Sequence, residues 1–138
     1  EDFIDARFGT VIAAKGSRLP GSSKHALSLF VDWQRSLASG LELLVNANYR
    51  YVDSRPNTFG IGVGGTAAFP EDVPSSEIVN LSAGVSHDNG VTVSLFANNL
   101  FDERSEQLRR TIGVTAAGLE ANTMNRPRTI GLRAGYQF

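Results

Sequence analysis

The chain has 138 residues, a formal net charge of −1, 41% hydrophobic residues and no cysteine. The near-neutral charge gives no electrostatic basis for binding nucleic acid, and the absence of cysteine excludes disulfides and thiolate metal sites. Uninterrupted apolar stretches are only a few residues long, far short of the ~20 residues that a membrane-spanning helix needs. A transmembrane strand needs only ~9–11 residues of alternating pattern, so the composition is compatible with a membrane β-barrel.

Five segments alternate between apolar and polar residues, which is the pattern of a strand with one apolar and one polar face. The last of them runs to the final residue and ends on an aromatic side chain, as the closing strand of a membrane barrel does. Residues 1–8 resemble the end of a sixth strand. In chain order, the five predicted strands cover residues 25–35, 40–52, 77–87, 91–101 and 130–138.

The connections between these segments alternate in length. Residues 36–39 and 88–90 are short, and the pair Asn89-Gly90 is a strong hairpin signal because both residues accept a positive φ. The other connections are long and cover residues 9–24, 53–76 and 102–125. We therefore predict an antiparallel up-and-down meander with short turns on one side and long loops on the other, as in an outer-membrane barrel.

The alternation also predicts which residues share a face of the sheet. The apolar face suits lipid and includes Leu27, Leu43, Leu81, Val93 and Leu132. The polar face suits a hydrated or plugged lumen and includes Asp32, Asn46, Ser82, Ser94 and Arg133. The alternative is a soluble fold of two sheets whose apolar faces form a common core.

No segment carries the residues of a catalytic or cofactor site. Gly60-Ile-Gly-Val-Gly-Gly65 matches the dinucleotide-binding pattern literally, but prolines on both sides prevent the helix that such a site needs. The acidic cluster of Asp102, Glu103 and Glu106 is interpreted as a solvated loop rather than as a cation site. We therefore expect no cofactor, no metal ion, no catalytic residue and no enzymatic activity.

Arginines are concentrated around the last long connection. Few acidic residues accompany them, so their guanidinium groups are suited to an anionic ligand such as a ferric siderophore. Contacts with lipopolysaccharide phosphates, or simple solvation of the loop, are the alternatives. The candidate ligand-contacting residues are Arg104, Arg109, Arg110, Arg126 and Arg128.

Several motifs, taken together and in order, resemble those of TonB-dependent outer-membrane receptors. Gly16-Ser-Arg-Leu-Pro-Gly-Ser-Ser-Lys-His25 is similar to a segment that precedes a barrel strand in these receptors. Leu95-Phe-Ala-Asn-Asn-Leu-Phe-Asp102 contains the Asn-Leu-Phe-Asp motif of their penultimate strand. Arg126-Pro-Arg-Thr-Ile-Gly-Leu132, followed by Tyr136-Gln-Phe138, resembles their closing strand. The resemblance extends over nearly all of the chain.

The resemblance implies an all-β fold in which residues 1–138 form the last five to six strands of a large transmembrane β-barrel. The plug domain and the earlier strands of these receptors are absent from the sequence. Transporter barrels of this kind have 22 strands, and five strands cannot close a barrel. The first residues do not resemble a signal peptide, so either such a peptide has been removed or the chain is a part of a longer protein. We expect the second, because the opening resembles the middle of a strand.

The implied function is that of a receptor in the outer membrane of a Gram-negative bacterium. Such a receptor binds a scarce nutrient and imports it with energy transmitted by TonB. A ferric siderophore is the commonest nutrient of the family, and cobalamin, haem and carbohydrates also occur. The implied partners are outer-membrane lipid and lipopolysaccharide, the small-molecule nutrient, and TonB acting through the absent N-terminal part.

Two other kinds of protein are compatible with the pattern. One is another outer-membrane barrel, such as a passive channel or an adhesin. The other is a soluble β-sandwich or a lipocalin-like binding protein.

The terminal strand resembles the C-terminal signal that the barrel-assembly machinery reads. Its alternate residues are apolar or aromatic, and they are Ile130, Leu132, Ala134, Tyr136 and Phe138. We predict that Phe138 serves assembly by anchoring in the aromatic girdle at the membrane interface, rather than ligand binding.

Overall fold

The computed structural model describes residues 2–4, 9, 11–57, 72–112 and 119–138 of the chain. These residues form β-strands and connecting segments, with a short 3-10 turn at Ala38–Gly40. No helix among them is long and apolar enough to cross a membrane. The strands are β1 (Phe3–Ile4), β2 (Val11–Ala13), β3 (Ala26–Ser36), β4 (Leu41–Val52), β5 (Ser76–His87), β6 (Val91–Asn98), β7 (Glu106–Ile112), β8 (Leu119–Met124) and β9 (Thr129–Tyr136).

A five-stranded sheet contains β3, β4, β5, β6 and β9 in that spatial order. β6 pairs antiparallel with β5 on one side and with β9 on the other. These five strands correspond to the five segments that alternate in the sequence. The all-β fold and the meander are therefore confirmed.

The register of the strands confirms the predicted faces. Leu95 lies opposite Leu132, and Ser94 lies opposite Arg133. Directly opposed residues point to the same face of a sheet, so the two pairs occupy opposite faces. The apolar face contains a shallow depression that is lined in part by Leu43, Val85, Val93, Leu95 and Leu132.

Both short turns lie at one end of this sheet. The Asp88 N–H donates a hydrogen bond of 3.0 Å to the Gly40 carbonyl oxygen, which joins the two turns. The Gly90 carbonyl oxygen accepts the Gln137 N–H over 2.9 Å, so the last residues of the chain lie at the same end. Gly90 has a φ of 87°, whereas Asn89 does not have a positive φ, so only the glycine adopts the conformation on which the Asn-Gly signal rests. The predicted short-turn end is confirmed.

The long connections leave from the opposite ends of the strands, because β4 and β6 end there and β5 and β9 begin there. Gly62, which belongs to the connection at residues 53–76, lies outside the described residues, as does the whole of Gly60–Gly65. The common side of the three long segments therefore stays a prediction.

The structure differs from the sequence prediction at the end of the fourth strand, which was expected to reach Phe101. β6 ends at Asn98 because Asn99 has a φ of 51°, outside the extended region. The backbone turns there, and Asp102 also has a positive φ of 54°.

Segments that were predicted as long loops contain additional strands. β7 and β8 form a two-stranded antiparallel sheet within residues 102–125. β2 lies within residues 9–24 and pairs with β1, so the described part of residues 1–8 does not extend the five-stranded sheet. The adjacent arginines of β7 interrupt strict alternation, which is why the sequence did not indicate this strand.

The chain divides into two compact units. One contains residues 26–51, 76–104 and 125–138 and holds the five-stranded sheet; the other contains residues 1–25, 52–75 and 105–124. Among the described residues, the buried apolar side chains are Ala13 and Val73, and both belong to the second unit. On the apolar face of the five-stranded sheet, Val93 is 36% exposed and Leu132 is 66% exposed, whereas Leu43 and Val45 of β4 are half-buried. The sheet therefore has no packed hydrophobic core of its own.

Candidate functional site

Polar side chains of β3, β4 and β5 form hydrogen-bonded rows across the face that the sequence assigned to a lumen. The Asn46 side-chain amide donates to Asp32 Oδ1, and Ser82 Oγ donates to Asn46 Oδ1 over 3.1 Å. In the next row, Asn80 Nδ2 donates to Asn48 Oδ1 over 3.2 Å. Side chains on one face of neighbouring strands lie close enough for such contacts. Polar contacts therefore order this face, which suits an aqueous environment.

A phenylalanine interrupts this polar face. Phe96 lies opposite Gly131, and its ring covers the glycine so closely that a Cβ atom there would lie 2.6 Å from the ring Cζ. The Arg133 guanidinium lies over the same ring, 5.4 Å from its centroid. This contact is attractive because the face of an aromatic ring carries partial negative charge. The alternation of the sequence does not predict this contact, although a phenylalanine at a polar-face position was the available signal.

The polar face contains an open depression of about 220 Å³. Phe30 on β3 lines one side, and Phe96 and Arg133 line the other. The floor between them carries amide, hydroxyl and carboxylate groups, which belong to Asp32, Asn46, Asn48, Asn80 and Ser82. The depression therefore combines apolar rings, polar groups and a cation.

Asn99 organises the turn that follows β6. The residue is buried, and its Oδ1 atom accepts the Glu103 N–H over 2.9 Å. Its Nδ2 atom donates to the carbonyl oxygens of Glu103 and Arg126, each over 2.9 Å. Its backbone N–H donates to Asn80 Oδ1 over 2.9 Å. A single side chain thus joins the turn to the segment before β9, and its backbone joins the turn to β5.

Asp102 makes a second link between the same segments. Its Oδ1 atom accepts the Arg128 N–H over 2.8 Å, and its Oδ2 atom forms an ion pair of 3.0 Å with Arg104 Nη2. The hydrogen bond from the Arg128 backbone, followed by that from the Arg104 side chain, holds the pKa of the Asp102 carboxyl below its usual value. Each oxygen of the Asp102 carboxylate therefore already contacts a group of an arginine residue, the Arg128 N–H or the Arg104 guanidinium.

No candidate metal centre is present in the described ranges, where no group of three or more His, Cys, Asp or Glu side chains is suitably placed. Within the cluster of Asp102, Glu103 and Glu106, the Asp102 carboxylate is engaged by the Arg128 N–H and by the Arg104 side chain.

The structure brings three of the five candidate arginines to one turn. Arg104 pairs with Asp102, Arg126 provides its carbonyl oxygen to Asn99, and Arg128 provides its N–H to Asp102. The side chains of Arg126 and Arg128 are exposed. The other two candidates, Arg109 and Arg110, belong to β7, and their side chains lie outside the described residues. Ligand contact by any of the five stays a prediction.

The apolar residues of the terminal strand are exposed. Ile130, Leu132 and Tyr136 are each 66% accessible. Ala134 lies opposite Val93 on the same face. Phe138 is fully exposed, and its ring centroid lies 6.3 Å from that of Tyr136. These five residues therefore present a continuous apolar and aromatic row, whose role in assembly stays a prediction.

The sequence matches the family model described as TonB dependent receptor-like, beta-barrel, over residues 2–100. The chain belongs to this family. The match agrees with the resemblance that the sequence motifs indicated. No curated protein and no solved structure matches the chain.

TonB-dependent receptors are outer-membrane receptors and transporters of nutrients, and they are not a family of enzymes. The matched range of this receptor chain includes the polar rows, Phe96 and Asn99. Asp102 and β9, with Arg133, lie beyond the matched range. In a transmembrane barrel, lipid covers the apolar outer face.

Proposed function

We propose that the chain forms the C-terminal strands of a TonB-dependent receptor that binds a scarce nutrient and imports it with energy transmitted by TonB. The observation that carries the proposal is the division of the sheet into two unlike faces. Leu132 and its neighbours are exposed on the apolar face, whereas Asp32, Asn46 and Ser82 are joined by hydrogen bonds on the polar face. A soluble sheet covers its apolar face with a second layer, whereas a barrel exposes this face to lipid.

The two edges of the sheet indicate that further strands are needed to close a barrel. β3 and β9 are its outermost strands, so each has one edge that no strand of this sheet pairs. In lipid, each unpaired backbone group costs several kcal/mol, and only a closed barrel removes all of them. The missing strands and the plug belong, in this proposal, to the rest of a longer protein.

A ferric siderophore is the first nutrient to test. Arg126 and Arg128 expose their side chains beside the turn that ends β6, at the end of the sheet opposite the short turns. Exposed guanidinium groups at this end suit an anionic ligand. Arg104 is engaged with Asp102 and is the weaker candidate of the three.

The other partners follow from the same proposal. Lipid contacts the apolar face in the outer membrane of a Gram-negative bacterium, and lipopolysaccharide phosphates are alternative partners of the exposed arginines. The barrel-assembly machinery reads the terminal strand, and TonB acts through the part of the protein that precedes this chain.

The test is nutrient uptake by cells that lack the parent protein. We expect such cells to take up less radiolabelled iron from ferric siderophores, and the intact gene to restore uptake. Arg126→Gln combined with Arg128→Gln should restore it incompletely if these arginines bind the ligand, whereas Arg35→Gln serves as a matched control. Recovery of the parent protein in the soluble fraction, or undiminished uptake of every nutrient tested, would contradict the proposal.

A further inference from the structure

The long connections between the strands are joined to one another by hydrogen bonds. They belong to one compact unit, which we call the loop unit and which contains a first segment at residues 1–25, a second at 52–75 and a third at 105–124. The strands β3 to β6 separate these segments along the chain. Independent loops would form their hydrogen bonds within each segment. In this unit, hydrogen bonds also run from one segment to the next.

Two hydrogen bonds join the first segment to the second at neighbouring positions. The Ser54 carbonyl oxygen accepts a hydrogen bond of 2.9 Å from Arg18 Nη2, and the Pro56 carbonyl oxygen accepts the Gly21 N–H over 2.8 Å. Arg18 Nη2 also donates to the Ser22 carbonyl oxygen over 3.2 Å, within the first segment. One guanidinium group therefore binds the backbone of both segments.

Arg55, which lies between Ser54 and Pro56, joins the second segment to the third. Its Nη2 atom donates to the Gln107 carbonyl oxygen on β7. Its backbone N–H and carbonyl oxygen form hydrogen bonds of 3.0 and 2.8 Å with the backbone of Val73, near the other end of the second segment. Val73 is only 2% exposed. Arg55 therefore connects both ends of the second segment to β7.

The acceptors of both guanidinium groups make it costly for one segment to open alone. Arg18, Ser54, Arg55 and Gln107 are half-buried, and the acceptors are backbone carbonyl oxygens. A segment that opened alone would leave such oxygens of its neighbour without a donor, which is unfavourable away from water. When all three segments open together, water reaches these oxygens. A joint opening therefore leaves fewer groups unsatisfied than separate openings do.

We propose that the three segments of the loop unit open and close together, and that Arg18 and Arg55 are the positioning residues that couple them. Arg18 couples the first segment to the second, and Arg55 couples the second to the third. The coupling does not depend on what the chain binds. Its consequence for a receptor rests on the proposed function: a nutrient that contacts one segment also shifts the opening equilibrium of the other two.

Hydrogen exchange of the full-length receptor in detergent tests the coupling without a ligand. The reporters are the Gly21 amide in the first segment, the Val73 amide in the second and the amides of β7 in the third. Low concentrations of urea should accelerate exchange at all three reporters with one common slope, because a single opening exposes them. Three different slopes would overturn the inference.

Substitution of each arginine tests its role. Arg18→Gln should accelerate exchange at Val73 and in β7 at least about tenfold, although Arg18 donates to neither, because the unit loses hydrogen bonds from a charged group. Arg55→Gln should have the same effect at Gly21, whose N–H is bonded to Pro56. Acceleration that is confined to the segment carrying the substitution would overturn the inference.

Two further variants separate the coupling from a general loss of stability. Arg35→Gln removes an exposed arginine of β3, outside the loop unit, and should leave exchange at the three reporters unchanged. Arg18→Lys keeps the charge but loses the fixed planar donors, so its effect should be smaller than that of Arg18→Gln. Exchange in β6 should be unchanged in every variant. Equal acceleration by Arg35→Gln would overturn the inference. Nutrient uptake that requires the receptor, together with three segments that exchange independently, would remove this inference and leave the proposed function standing.

Discussion

At the scale of single residues, Asn99 and Asp102 hold together segments that lie far apart in the sequence. The sequence identified the Asn-Leu-Phe-Asp motif to which both belong. It did not identify their partners, because Asn80, Glu103 and Arg126 meet only when β5, β6 and β9 pair. For the same reason, the contact between Phe96 and Gly131 was not predicted: their opposition depends on the strand register.

We predict that replacing Asn99 with alanine opens the turn. The Glu103 N–H and two carbonyl oxygens lose their partners, and each unsatisfied buried group costs about 1–3 kcal/mol. Hydrogen exchange at the Glu103 amide should therefore become at least roughly thirtyfold faster.

Asn99→Gly separates the two causes of this effect. Glycine removes the same hydrogen bonds but accepts the φ of 51° more readily than alanine. We expect its exchange rate to lie between those of the wild type and Asn99→Ala. Exchange as slow in Asn99→Ala as in the wild type would show that the side chain does not hold the turn.

A second residue-scale prediction concerns pH. The pKa of Asp102 in the folded protein lies below the ordinary value of 3.8, so its carboxylate stabilises the turn fully above 3.8. This contribution is lost as the pH falls through the lowered pKa. Asp102→Asn should therefore accelerate exchange at the Arg128 amide near neutral pH, and the difference from the wild type should disappear in acid.

Glu103→Gln is the matched control for this prediction. It removes an adjacent charge, whereas the recorded hydrogen bonds of Glu103 use its backbone groups. Exchange at the Arg128 amide should be unaffected near neutral pH. A difference between wild type and Asp102→Asn that persists unchanged in acid would contradict the assignment to the Asp102 charge.

At the scale of elements, the predictability of a strand depended on whether its alternation was unbroken. β3, β4, β5, β6 and β9 alternate over most of their length, because one face meets an apolar environment and the other a polar one. β7 and β8 do not follow this rule, and the sequence indicated only a loop there. The end of β6 was also missed, since a backbone with positive φ at a residue other than glycine leaves no periodic signal.

A matched series of glycine substitutions tests the spacing between strands. A Cβ atom on Gly84 would lie 2.5 Å from Ser94 Cβ and 2.6 Å from the Val93 carbonyl oxygen. The atoms nearest to a Cβ atom on Gly131 would be those at the outer end of the Phe96 ring, which can rotate away, and a Cβ atom on Gly135 would meet nothing within 4 Å.

We expect Gly84→Ala to lower the free energy of unfolding by about 1–3 kcal/mol, because backbone atoms must move. Gly131→Ala should have a smaller effect, and Gly135→Ala should be neutral or stabilise by up to ~1 kcal/mol. Urea-induced unfolding of the receptor in lipid vesicles gives the three values. A larger loss for Gly135→Ala than for Gly84→Ala would show that the strand register is wrong.

At the scale of the whole molecule, the distribution of apolar residues separates a barrel from a soluble sandwich. Alternation alone predicted both an apolar and a polar face, but it did not show what covers the apolar one. In the structure, Leu95 is 60% exposed and Ile130 is 66% exposed, and no second layer covers this face within the unit that holds the sheet. Because the chain belongs to a family of outer-membrane barrels, we propose that lipid rather than protein covers this face. The depression on the polar face was not predictable to the same depth, because its lining combines side chains from several strands.

The last prediction concerns the role of Phe138 in the whole receptor. Its ring is fully exposed next to Tyr136, at the same end as the short turns. We expect this ring to anchor in the membrane interface, which should contribute about 1.5–3 kcal/mol. Deleting Phe138 from the parent should lower the amount of folded barrel in the outer membrane, as measured by heat-modifiable electrophoretic mobility. The molecules that do fold should bind nutrient with unchanged affinity, because the residue lies at the opposite end of β9 from Arg126 and Arg128. Phe101→Ala, which removes a 74% exposed ring from the turn after β6, should leave the barrel level higher than the deletion does. Normal barrel levels with weakened ligand binding would show that the terminus acts in recognition instead of assembly.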